Sequence, residues 1–369
     1  MKTSLLYRSP TQIGIAAHRC FQSTVARNHS EISTLFRPSK FHPAGDLLRA
    51  VDLENSNLSL QRLTLASNSI RAPNWTVNAA TITYCIKGTL LVSILDTNNV
   101  FAAFNVEPGQ MFSVASGSIY YIENVGADPA ELITCFRHPQ PQEFSFWAAM
   151  GAMTPAVLGN TFSESASAFS KIHFDTKPQY IIQRAKGSGS DISSTAGLPD
   201  PHKLDIEAQN PPIDLPYGSA KLARAQFWPA LREVNLSMYS LRVAASGMRE
   251  AHWHPETTEM GYVASGQARM SILSPDGDVV TYYLQQGDCY VVPVAYPHQI
   301  EDLGEGGFNF LVFFDQATPE DIGYRKTGSA FSRVMPAVLG VEPGAEPAFP
   351  STPIDPLIVK KVNPTDPVK

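Results

Sequence analysis

Two histidines separated by one residue, His252 and His254 in "HWHPETTEMGYVASG", are followed by Glu259 and, further along, by His298 in "GDCYVVPVAYPH". Residues i and i+2 of a strand point to the same face, so both imidazoles can enter one interior. Pro255 interrupts that strand and permits a turn, from which Glu259 rejoins the interior on the next segment. Three imidazoles and a carboxylate form a borderline-to-hard donor set, which suits Mn, Fe, Co, Ni or Zn better than Ca or Mg. Four protein ligands leave two positions of an octahedral ion open, for a substrate and for O2 or water. A lone His-x-His is more often packing than ligation. The four residues together, with turn glycines around them, favour a metal site.

A repeat defines the elements that must position these residues. The offset that separates Gly88 from Gly266 also separates Gly109 from Gly287, Gly126 from Gly304, and Arg71 from Arg249. "SIL" at 93–95 recurs at 271–273, and "NLS" at 57–59 recurs at 235–237, at the same offset. "PAVLG" at 155–159 recurs at 336–340, three residues later than that offset requires. So many coincidences imply an internal duplication. The offset carries His252, His254, Glu259 and His298 onto Asn74, Thr76, Thr81 and Tyr120. Asn and Thr oxygens are weak neutral donors and a Tyr is protonated at neutral pH, so the first copy is expected to lack a metal. One ion per chain follows.

Each copy reads as β structure. "LSMYSLRVAA", "ARMSILS", "VVTYYLQQ", "CYVVPVA" and "FNFLVFF" are short runs rich in β-branched and aromatic residues, separated by turns such as "PDGD", "QQGD" and "EGG". Many short strands with glycine turns make an all-β sandwich or barrel. "ESASAFSKI" and "PEDIGYRKTGSAFSRVMPAVLG" read as short helices that close each barrel. The expected division is a leader over 1–40, a first barrel over 41–185, a Gly/Ser/Pro-rich linker over 186–220, a second barrel over 221–342, and a Pro-rich tail over 343–369.

The bulk numbers set outer limits. The 369 residues suffice for two domains, and 28 basic against 34 acidic side chains give a net charge of −6. That balance gives no reason to expect a nucleic-acid partner, and no apolar run is long enough to cross a membrane as a helix. Cys20, Cys85, Cys135 and Cys289 are scattered without paired spacing, which argues against a disulfide framework and for a reducing compartment. The segment before Glu31 carries Lys2, Arg8, Arg19 and Arg27 with no acid. This is the pattern of a mitochondrial transit peptide, or of a plain tail on a cytoplasmic protein; a secretory signal fits poorly. The sequence leaves the oligomeric state open, a homo-oligomer included.

The two motifs around the ligands resemble the characteristic motifs of cupins, and the duplication resembles the oxalate decarboxylase-like bicupins over about residues 57–340. The resemblance implies two jelly-roll β-barrels in tandem. It also implies Mn, or Fe or another divalent ion in its place, on His252, His254, Glu259 and His298. Family decarboxylases place an Arg three residues before the first His, where Arg249 stands here. They place a lid Glu as far beyond the last His as Glu320 lies beyond His298. On that resemblance Arg249 clamps a substrate carboxylate by charge-assisted hydrogen bonds, and Glu320 relays a proton as a C–C bond breaks. The implied reaction converts oxalate or a related small carboxylate to formate and CO2, with O2 a candidate co-substrate. A metal-dependent oxidase or dioxygenase on a larger substrate, and a non-catalytic storage protein, are the alternatives. The lid departs from the family's Ser-Glu-Asn-Ser and reads Pro319-Glu320-Asp321-Ile322, and Ala295 stands where the family has Gly. In the first copy Glu320 maps to Gln142.

Overall fold

The computed structural model describes residues 17–18, 45–50, 56–172, 174–185, 200–304 and 306–365. Apart from Ala17–His18, which pair with Cys289–Tyr290, the expected leader lies outside the described residues. Two barrels of antiparallel strands follow one another, each made of two sheets. Most of their strands correspond along the duplication. Ser69–Thr76 matches Gly247–Trp253, Thr81–Lys87 matches Glu259–Ser265, Ile119–Asn124 matches His298–Asp302, and Ala130–Phe136 matches Phe308–Phe314. The sequence-predicted runs from "LSMYSLRV" to "FNFLVFF" are all strands. The all-β architecture of tandem jelly-roll barrels with a few short helices is the one expected.

The pattern of "FNFLVFF" shows where the core sits. An unbroken apolar run needs burial on both faces. Phe310, Val312 and Phe314 fill the second barrel, while Leu311 and Phe313 face the first. Leu132 and Ile133 divide in the same way in the matching strand of the first barrel. The two barrels thereby share a third core, in which Leu60, Ile82 and Ile133 of one meet Trp228, Met260 and Phe313 of the other. Polar contacts flank it: the Arg137 guanidinium donates to the carbonyls of Asn235 and Asp315, and Asn57 donates to the Asp315 carboxylate at 2.7 Å.

Two segments differ from expectation. The segment expected as a linker over 186–220 is built into both barrels from residue 200 onward. Lys203–Asp205 pairs with Gln110–Phe112 of the first barrel, and Ile213–Leu215 and Gly218–Ala223 form a hairpin on the second. Its Gly and Pro mark the turns of short strands, and Ile206 is buried in the shared core. Residues 186–199 lie outside the described residues. The Pro-rich tail over 343–369 likewise returns: Ile358–Lys360 pairs with Gly247–Arg249, as Ile181–Gln183 pairs with Ser69–Arg71 in the first barrel. The helices also differ. "ESASAFSKI" holds only a 3-10 turn over Ala166–Phe169, and the longest helix, Pro155–Phe162, lies just before it. Pro155 begins that helix, where a missing N–H costs nothing, and Thr154 caps it. The second expected segment does hold short helices, Tyr324–Ala330 and Met335–Leu339, and the helices bury few side chains. Among the cysteines, Cys85 and Cys135 are buried free thiols, whereas Cys289 is disulfide-bonded, which amends the expectation of unpaired cysteines.

Candidate metal centre

Strand ends gather the four ligands at one mouth of the second barrel. His252 lies near the end of Gly247–Trp253, and His254 follows directly, where Pro255 stops the strand. Glu259 and His298 are the first residues of their own strands. An irregularity between Arg249 and His252 shifts the register so that His252 stands directly opposite His298. Ala295, in the loop before His298, adopts a left-handed conformation (φ 64°) and donates its N–H to the His254 carbonyl at 2.9 Å. The loop thus keeps, with an alanine, a turn that a glycine would adopt freely.

All four side chains are buried, and one donor atom from each lies within 4.8 Å of the others. Each imidazole is held from behind by an oxygen. His252 Nδ1 donates to the Glu250 carbonyl at 2.7 Å, His298 Nδ1 to the Tyr296 carbonyl at 3.0 Å, and His254 Nδ1 to the Glu320 carbonyl at 3.1 Å. Those acceptors fix the proton on Nδ1 and turn the three Nε2 atoms toward a common point. Glu259 Oε2 meets His254 Nε2 at 2.7 Å and His298 Nε2 at 3.3 Å, while its Oε1 accepts from the Tyr290 hydroxyl at 2.6 Å. Three oriented imidazole nitrogens and one oriented carboxylate oxygen fit a divalent transition ion.

The electrostatics agree. Burial, Arg249 and the neighbouring histidines push His252 well below the ordinary histidine value. Burial also acts to lower His254, but Asp321 and Glu259 outweigh it and raise that imidazole to about 9. Burial would raise Glu259, yet His298 and His254 hold it well below the usual carboxylate range. Burial and Glu259 push the Tyr290 phenol up, so it stays a donor. Tyr290 was not singled out from the sequence. The duplication carries it onto Phe112, so its hydroxyl exists only in the copy that keeps the ligands.

Arg249 faces the ligands and Glu320 faces away from them. Arg249 is buried beside the ligands; its Nη1 donates to the Leu357 carbonyl at 2.9 Å and its Nη2 to Asp321 Oδ1 at 2.8 Å. The Glu320 side chain is 74% exposed and reaches Arg224 at 3.3 Å, away from the ligands. The acid of this segment that faces inward is Asp321, with Oδ1 3.0 Å from His254 Nδ1 and 4.0 Å from His252 Nε2. In the first barrel, Asn74, Thr76, Thr81 and Tyr120 are buried. Asn74 accepts from Arg71 at 3.2 Å and donates to the Tyr120 carbonyl. Among the described residues, the second barrel's cluster is the one group with a metal-ligand arrangement.

Known proteins resemble this chain. The chain is 28% identical over 267 residues to oxalate decarboxylase OxdC of Bacillus subtilis (strain 168), covering 70% of this chain and 68% of that one. It is 25% identical over 118 residues to germin-like protein subfamily T member 3 of Arabidopsis thaliana, about half (52%) of that protein's length. A solved structure of Bacillus subtilis oxalate decarboxylase, from a study of its Mn(II) centers, superposes with a TM-score of 0.77 at 22% identity, covering 90% of each chain. The family model for cupins matches residues 34–168 and 204–342, one copy in each barrel, and the chain belongs to the cupin family as a bicupin.

Proposed function

We propose that this bicupin is a metal-dependent lyase that splits oxalate, or a closely related small carboxylate, into formate and CO2. The observation that carries the proposal is Arg249, a buried guanidinium at the mouth that also holds the four ligands. A planar guanidinium beside a divalent ion is suited to a small dianion, with one carboxylate on each. His252, His254, Glu259 and His298 would hold the ion, with Mn preferred and Fe or another divalent transition ion the alternative. When bound, the ion supplies a Lewis-acid charge that fixes one carboxylate and stabilises negative charge developing on it. Arg249 holds and orients the other carboxylate. As the C–C bond breaks, one carbon leaves as CO2 and the electron pair stays on the other. Glu320, once turned inward, delivers the proton that fills this pair and makes formate. Oxalate dianion and the proton from Glu320 give formate and CO2, with no external oxidant.

Protein loaded with Mn should release formate and CO2 from oxalate in equal amounts, and Glu320→Ala should keep its metal while turnover falls by about 100-fold or more. Loaded protein that releases neither product overturns the oxalate reading. The altered lid favours a second reading, an oxidase or dioxygenase on a larger organic substrate. Oxygen consumption with such a substrate and none with oxalate would select it.

A further inference from the structure

We infer that Asp321 is a specificity-determining residue: its carboxylate occupies Arg249 in the resting site and must be displaced by the substrate carboxylate. This rests on the reading of Arg249 as the substrate clamp. One oxygen, Asp321 Oδ1, touches Arg249 Nη2 at 2.8 Å and His254 Nδ1 at 3.0 Å, and lies 4.0 Å from His252 Nε2. Arg249 Nη1 donates to the Leu357 carbonyl, which anchors that end of the guanidinium. Nη2 is the end that already holds a carboxylate, that of Asp321.

The first barrel contains the same contact, between Arg71 and Glu143 at 2.9 Å. Glu143, the counterpart of Asp321 along the duplication, lies on a strand whose Glu143–Ser145 pairs with Asn74–Thr76. Asp321 precedes a shorter strand, Ile322–Gly323, paired with His252–Trp253, and its neighbours Glu320 and Ile322 are exposed. Glu143 is thus held within its strand, whereas Asp321 lies outside the shorter one. Consecutive residues of an extended segment face opposite sides. A lid reversal that withdraws Asp321 turns Glu320 in, so vacating Arg249 and presenting the proton-relaying acid are one movement. A monocarboxylate that meets Arg249 alone must compete with Asp321 on equal terms. A dicarboxylate that also meets the ion wins, which selects small dianions.

The test measures acetate and oxalate binding to Mn-loaded protein by calorimetry and by the ion's EPR signal, in wild type, Asp321→Asn and Asp321→Ala. Removing the internal competitor should tighten acetate binding by about tenfold or more, more than it tightens oxalate, and narrow the preference for the dianion. Metal content should stay at one per chain, and KM for oxalate should fall without a rise in kcat. If wild type binds oxalate and neither variant binds acetate more tightly, or if both lose the metal, this inference alone is overturned and Asp321 serves only to orient His254. If none of the three proteins binds either carboxylate, the clamp reading of Arg249 falls with it.

Discussion

Glu143 closes on Arg71 at 2.9 Å with both side chains almost fully buried (2% and 1% exposed). The same pair recurs in the second copy as Asp321 on Arg249. Arg71 also donates to the Tyr180 carbonyl and lies over the Tyr180 ring, as Arg249 donates to Leu357. The duplication therefore preserved an arginine–acid–backbone node while the four ligands were kept in one copy only. In the first barrel the node is an internal brace, because every charge in it is neutralised. Removing one partner of a buried ion pair strands the other. Glu143→Ala should cost about 3–5 kcal/mol in urea unfolding, with metal content unchanged.

The metal count is expected to be one ion per chain. His298→Ala removes a ligand and should leave none bound under gentle purification. Tyr290→Phe keeps the ligands but frees Glu259 Oε1, so metal affinity should fall by about 10- to 100-fold. Metal titration of the three proteins distinguishes these outcomes, and unchanged affinity in Tyr290→Phe would refute the orienting role of that hydroxyl.

Metal binding should release a proton near neutral pH. In the metal-free protein His254 is raised to about 9, so it carries a proton on Nε2 at pH 7, which the ion must displace. The sign is that affinity rises with pH up to about 9, by up to roughly tenfold per unit from this group alone. The same shift stabilises the metal-free fold below the unfolded histidine value, and that contribution is lost as pH rises through about 9. Calorimetry in buffers of different ionisation enthalpy counts the proton; a count near zero at pH 7 would contradict the charged His254.

Truncation after Thr352 should impair the site without emptying it. It removes the Leu357 carbonyl from Arg249, the strand Ile358–Lys360, and the Asp355 carboxylate that accepts from the Gly323 N–H. None of these groups is among the four ligands. The truncated chain should keep its metal, while KM for oxalate rises by roughly tenfold, the scale of one hydrogen bond to a charged group. Equal KM in both chains would show the tail to be dispensable.

The residue order by itself determined much of this protein. One constant offset revealed two copies, alternating and unbroken apolar runs gave the strands, and His252, His254, Glu259 and His298 identified the copy able to hold an ion. These features are legible because they are local or repeated: a strand's period, a turn's glycine and a lost ligand are all visible along the chain. Which of two adjacent acids faces the site was not. Glu320 and Asp321 differ by one position, and through-space partners set them apart, Arg224 outside and Arg249 with His254 within. The same reason hid Tyr290, whose partner Glu259 is distant along the chain, and the tail, whose proline-rich composition resembles a loose end until Ile358–Lys360 meets Gly247–Arg249. Composition sets what a segment can form alone. Only the folded chain brings together the charges and open strand edges that decide where it docks.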